Sequence, residues 1–383
     1  MVVSAAMRAH NSRPFRSFIA ISLPSLILAG ILFAAAPVPS RLTDDQFWSL
    51  SKDSSEDDGY FRSDNLLSNE TTFQYVIPKI IETAKQGRVY IGVGPEQNFT
   101  YIAALKPVMA IIIDIRHGNL DVHLLYKALF ELSRDRVEFV SRLFSRKRPD
   151  GLSAQSSAAQ IFDAVQASGG SKELYDENLK AIEDQLINKH HFPLSAGDRE
   201  GIVWALSNYY RFGPSINYGS SLSANTPPAI VGATSGGGRG GNSFTTYGLL
   251  MSADDGQGNF RSFLANEQNF AFIKDLEARN MIVPVVGDFG GDKAIRAVGK
   301  YLKSIDAFVS AFYVSNVEQF LVQDGIWNKF CESVSSLPVD DTSMFIRSGR
   351  GGPYTTGATG TGVQNSSAAR IVPEIAPCAA TSK

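Results

Sequence analysis

Short, unbroken apolar runs alternate along this chain with segments whose apolar positions recur every three to four residues. That is the pattern of buried parallel strands interleaved with amphipathic helices. The clearest instance is 88–116, RVYIGVGPEQNFTYIAALKPVMAIIIDIR. Tyr90 and Ile91 lie in a β-branched and aromatic run closed by Gly92-Val93-Gly94. Pro95 stands where a helix should begin, since the N–H it lacks would be unpaired there anyway. The helix from Glu96 to about Leu105 is stopped by Lys106-Pro107, and 108–113 is a second apolar run, too short for a typical helix, that ends in Asp114. Strand, glycine turn, helix, strand and terminal acid make one βαβ unit.

The pattern continues on both sides. A short helix over 42–50 starts at a Thr43 cap, and a polar loop over 59–70, holding Arg62, Asp64, Asn65, Asn69 and Glu70, precedes a helix over 71–85. Such a loop can fold over the end of the glycine strand, or Ser68 or Asn69 can simply cap the helix. Beyond Asp114 the spacing of Leu124, Leu125, Ala128, Leu129 and Leu132 predicts one long helix over 120–145. Helices over 157–167, 172–189 and 195–210, the last with a capping-box-like start at Ser195, form a helical insertion. A stretch rich in Gly, Ser, Asn and Pro, including a glycine run at 236–241, reads as a loop. Strands then return at 282–286, closed by Gly287-Asp288, and at 307–314, followed by Ser315-Asn316-Val317-Glu318 into a helix; a last strand is expected at 343–346. The expected fold is α/β: a Rossmann-like, doubly wound, mostly parallel sheet. It forms a single domain over 37–347, with the large helical and Gly-rich insertion at about 146–244. Residues 348–383, rich in Gly, Thr, Ser and Ala, are expected to be a flexible tail.

The first 36 residues read as an address. Arg8, Arg13 and Arg16 precede the apolar run 18–33, broken by Pro24 and followed by Ala34-Ala35-Ala36. These are the parts of a signal peptide, with an uncleaved N-terminal membrane anchor as the alternative. The protein is therefore expected to be exported, periplasmic or extracellular, or anchored by its N-terminus. The chain's 383 residues can bury a large core, and a net charge of −2 argues against nucleic acid as a partner. A small molecule is the expected ligand; oligomeric state is not legible. The two cysteines, Cys331 and Cys378, could pair after export or stay free. No CxxC or HExxH motif occurs, and His117 and His123, six apart, lack helical ligand spacing and read as surface or capping residues.

Asp114 lies about twenty residues past Gly94, the distance at which a βαβ unit returns a carboxylate to the ribose of a nucleotide resting on the glycine turn. The third glycine of the dinucleotide fingerprint is replaced by Gln97. Without it, helix packing over a pyrophosphate is disfavoured, which points away from NAD and FAD and toward a single nucleoside such as S-adenosylmethionine. The alternative is a tight corner at Gly92 and Gly94, with Asp114 capping the next helix. Asp288, Asn316 and Glu318 follow later strands on the same carboxyl edge and are the candidate catalytic residues; each could instead be a helix N-cap.

The segments YFRSDNLLSNETTFQYVIP, YIGVGPEQNFTYIAALKP, DIRHGNLDVHLLYKALFELSRDR, FLANEQNF, VPVVGDFGG and AFYVSNVEQFL together resemble a family of bacterial proteins of undefined chemistry. The core of that family is similar to class I S-adenosylmethionine-dependent methyltransferases. The resemblance covers about 45–347. It implies that Gly92 and Gly94 match the glycines of the first methyltransferase motif, that Asp114 matches the ribose-binding acid, and that Asp288 lies near the transferred methyl. With Glu96 on the glycine loop and Asp64, Asn65 and Glu70 from the polar loop, these are the candidate cofactor residues. The chain lacks the Asp/Asn-Pro-Pro-Tyr motif of amino methylation. Two other functions compete with a methyltransferase of unknown acceptor. An exported, non-catalytic binding module would bind no cofactor. A metal hydrolase built on Asp288 and Glu318 would need those carboxylates to converge.

Overall fold

A computed structural model describes residues 37–61, 64–222, 245–349 and 365–381. The expected signal segment, the glycine run at 236–241 and Arg62 lie outside the described residues. The strands β1 (Val89–Gly92), β2 (Met109–Asp114), β3 (Ile282–Val286), β4 (Val309–Ser315), β5 (Met344–Gly349) and β6 (Asn365–Arg370) form one sheet in the order β3-β2-β1-β4-β5-β6. All pairings are parallel except β5 with β6. β1, β2 and β3 are buried along their whole length, as their unbroken apolar runs require. The fold is thus the expected Rossmann-like α/β fold, with strand order reversing between β1 and β4.

Helices cover both faces. Ahead of β1 lie α1 (Asp44–Ser54), capped by Thr43 in a capping box with Gln46, and α2 (Ile77–Thr83), entered through a 3₁₀ turn at Phe73–Val76. α1 guards the β3 edge, where Pro284 could not serve a central strand. Ser51 Oγ donates to Pro284 O at 2.5 Å, and Val286 N donates to Ser55 Oγ at 3.0 Å. α3 (Gln97–Leu105) links β1 to β2.

The long helix expected over 120–145 is in fact two, α4 (His117–Leu132) and α5 (Arg136–Leu143). Asp135 breaks it by capping Glu138 N and pairing with Arg148. Next to the break, the buried Arg136 guanidinium donates to Glu267 and to the carbonyls of Leu264, Ala265, Ala154 and Ser156. The insertion supplies α6 (Ala158–Ser168), α7 (Lys172–Glu183) and α8 (Ala196–Phe212), and α8 starts with the Ser195 capping box. After it come α9 (Tyr218–Leu222), α10 (Tyr247–Ser252), α11 (Glu267–Ala278), α12 (Ala294–Ser304), α13 (Val317–Gln323) and α14 (Trp327–Ser335).

The expectation of a flexible tail over 348–383 does not hold for 365–381. β6 extends the sheet, and α15 (Ile371–Thr381) buries Ile371 and Ile375. A disulfide from Cys378 to Cys331 ties α15 to α14. Among the described residues no helix is long and apolar enough to cross a membrane.

Candidate functional site

Because β1 to β5 are parallel, their carboxyl ends share one edge, and the reversal between β1 and β4 opens a crevice there. A cavity of about 580 Å³ occupies it, within the roughly 300–1,000 Å³ of small-molecule sites. Gly94, Asp114, Asp288 and Asn316, from the ends of β1, β2, β3 and β4, all line it.

The glycine loop is held from below. Asn98 Nδ2 donates to the carbonyls of Val93, Gly94 and Pro95 at 3.0, 3.0 and 2.7 Å, and its Oδ1 accepts from Tyr90 Oη at 2.8 Å. A Cβ at Gly92 would lie 1.9 Å from that Oδ1, so Gly92 is glycine to admit Asn98; it does not line the cavity. Gly94 has φ +78°, the left-handed region that favours glycine. His123, expected on the surface, is buried, and its Nε2 lies 3.0 Å from Gly94 O. The carbonyl can only accept, so Nε2 carries the hydrogen, consistent with burial pushing this imidazole down to about 4. Gln97, in the place of the third glycine, reaches across the cavity floor and donates to Tyr313 Oη at 2.9 Å.

Asp114 faces the cavity but is already engaged. Its Oδ1 accepts from Arg116 N and Nε and its Oδ2 from Nη2, each at 2.9 Å. Arg116 Nη1 in turn donates to the carbonyl and Oδ1 of Asn65. The 59–70 loop does lie over the mouth: Gly59 N donates to Ile115 O, and Tyr60, Phe61, Asn65, Asn69 and Glu70 join the lining. Phe61 meets Phe320 edge to face at 5.4 Å. Asp64 is exposed, lies outside the lining and contributes its charge near Arg116. Glu70 is buried at the end of β4 and accepts from Tyr313 Oη at 2.7 Å and Ser315 Oγ at 2.5 Å. Burial raises its carboxyl above the ordinary range, against the opposing pull of those hydroxyls.

Like Gly92 and Asp64, two further candidates lie off the cavity. Glu96 is fully buried behind the loop, where it accepts from Ser68 N at 3.3 Å, and burial pushes it up to about 8. It fastens the 59–70 loop and does not face the cavity. Glu318 is paired with Arg347 of β5 at 2.5 and 2.9 Å and is likewise outside the lining. Asp288 remains on the cavity, its Oδ1 closing a turn on Gly290 N at 2.8 Å. The N-terminus of α12 is capped instead by Glu56, whose Oε1 accepts from Lys293 N and Ala294 N. Asp288 and Glu318 therefore do not form a metal pair. Among the described residues, the metal-competent group is His117, Asp121 and Asp198.

Arg116, Gln97, Tyr313 and the aromatic residues at the mouth were not among the sequence candidates. Arg116 sits two residues from Asp114, and in the sequence Gln97 reads only as a missing glycine.

No curated protein matches the chain. The family model described as a domain of unknown function, DUF7790, matches residues 66–192 and 247–368. These stretches carry β1 to β5, the 66–70 end of the loop over the mouth, and every strand end that lines the cavity. On that match the chain belongs to the DUF7790 family.

Proposed function

We propose that the cavity binds S-adenosylmethionine and that the chain is a methyltransferase of unidentified acceptor. The observation that carries this reading is the convergence of Gly94, Asp114, Asp288 and Asn316 from four neighbouring parallel strands on one nucleoside-sized cavity.

The residues fit a nucleoside. Each carboxylate oxygen can accept about two hydrogen bonds. Arg116 fills Oδ1 of Asp114 but leaves a position on Oδ2 for a ribose hydroxyl. The left-handed backbone at Gly94 lets the main chain approach without a side chain between. Gln97 closes the floor where a pyrophosphate would rest.

When bound, S-adenosylmethionine supplies an electrophilic methyl group, so the chain has mainly to align an acceptor with it. Asn316 and Asp288 at the ends of β4 and β3 would orient that acceptor. Glu70, with its proton affinity raised by burial, would take the acceptor's proton. Glu318 is committed to Arg347 and has no part in this scheme.

Calorimetry of the full chain with S-adenosylmethionine and S-adenosylhomocysteine tests the reading, at a temperature where each variant stays folded. Micromolar binding is expected, weakened at least tenfold by Asp114→Ala; no binding of either ligand refutes it. A non-catalytic binding module is the second reading, favoured by the cover Arg116 places on Asp114. It predicts a bound ligand of another kind and no heat with either compound.

A further inference from the structure

α4 begins with His117, and Asp121 follows one turn later, so both side chains rise from the same helix face. The first turn of α8 faces them with Asp198. His117 Nε2 lies 2.6 Å from Asp198 Oδ1 and 3.8 Å from Asp121 Oδ1, and the three candidate ligand atoms fall within 4.8 Å of one another.

The two carboxylates are not equivalent. Asp198 is satisfied without a ligand: Oδ1 meets the imidazole, and Oδ2 accepts from Ser195 N at 2.6 Å. Asp121 is only 3% exposed, and its Oδ1 is buried without a hydrogen-bond partner. A buried carboxylate oxygen with no donor is costly unless something cationic meets it. α8 holds this carboxylate in place, because a Cβ at Gly201 would lie 2.0 Å from Asp121 Oδ2. The His117 side chain is 41% exposed and gives solvent a path to the group.

We propose that His117 Nε2 and one oxygen each of Asp121 and Asp198 bind a divalent first-row transition-metal cation, with Zn²⁺ the best match. One neutral imidazole and two carboxylates balance its charge, and nitrogen and oxygen donors suit it. Zinc–ligand distances of about 2.0–2.2 Å in a tetrahedron place donors roughly 3.3–3.6 Å apart. The 2.6 Å contact would open and the 3.8 Å contact would close, each by about 1 Å or less. A fourth position would be left for water. The cation would pin α8, from the insertion, to α4, which runs back from the cavity rim at Arg116. This inference is independent of the nucleoside reading.

The test strips the full chain with a chelator and titrates it calorimetrically with Zn²⁺, with Co²⁺ as a spectroscopic probe and Mg²⁺ as a control. The expected result is one Zn²⁺ per chain and a raised Tm. Cobalt should give the visible bands of a low-coordinate nitrogen and oxygen site. Asp121→Asn and His117→Ala should each weaken Zn²⁺ at least tenfold and abolish the Tm rise, and circular dichroism of the metal-free variants checks their folding. Absence of stoichiometric binding by the unaltered chain overturns the proposal without recourse to any variant. So does undiminished binding by both variants.

Discussion

The Asp114–Arg116 pair at the cavity rim gives the sharpest prediction. Both side chains are almost fully desolvated, at 6% and 9% exposure, and three donors of Arg116 converge on the carboxylate. Removing one partner of such a pair strands a buried charge, at a cost of about 3 kcal/mol, the lower end of the range for buried pairs. Asp114→Asn and Arg116→Met should each lower stability by about that much. The double variant strands no charge and should be less destabilised than the sum of the two, giving a coupling of about 2 kcal/mol, within the range for residues in contact. Urea denaturation of the four proteins, read by fluorescence and circular dichroism, measures it. A coupling within about 0.5 kcal/mol of zero, as for independent sites, would refute the argument that the pair is mutually dependent. The same proteins separate folding from binding. Arg116→Met keeps the carboxylate and should retain nucleoside affinity, while Asp114→Asn should lose it in either background.

The Cys331–Cys378 disulfide closes a loop of sequence separation 47, for which the chain-entropy estimate is about 4 kcal/mol. Dithiothreitol or Cys378→Ser should therefore lower the urea midpoint, and an unchanged midpoint would show that α15 docks without it. Glu96 supplies a pH dependence: burial raises its folded-state value from 4.5 to about 8. The folded chain then holds a proton that the unfolded chain has lost between those values, so this group's contribution to stability declines as pH rises from 4.5 to 8. Glu96→Gln should flatten that decline by up to about 1.4 kcal/mol per pH unit. An unaltered pH profile would show that Glu96 is not the group responsible.

What the sequence revealed was set by locality. Strands buried on both faces are written as unbroken apolar runs, so β1 to β5 and their end residues Gly94, Asp114, Asp288 and Asn316 could be placed on one edge before any coordinates. Partners distant in the chain could not. Glu318 looked like a base because Arg347, which neutralises it, belongs to another strand. Glu96 looked like a loop ligand because nothing local shows that it points inward toward Ser68 N. Asp198 lies in the insertion, so its meeting with His117 and Asp121 depends on how α8 packs against α4. The C-terminal segment misled through composition. Gly and Thr dominate 349–364, yet Ile371, Ile375 and Cys378 repeat at helical spacing and are the residues buried there.

Gln97 connects the sequence departure to the chemistry proposed for the site. In a dinucleotide fold the third glycine lets the helix pack close while the pyrophosphate lies along its N-terminus. Here Gln97 Nε2 donates to Tyr313 Oη, which donates to Glu70 Oε1, which also accepts from Ser315 Oγ. One hydrogen-bonded line therefore runs from the helix after β1 to the end of β4, with Gln97, Glu70 and Ser315 on the cavity lining. The line ends at the Glu70 carboxyl, which burial raises above the ordinary carboxylate range. A polyanion placed against that carboxyl would meet unfavourable charge as well as a closed floor. A ligand that is neutral or cationic at this point, with a ribose reaching Asp114, avoids both penalties, as the sulfonium of S-adenosylmethionine would.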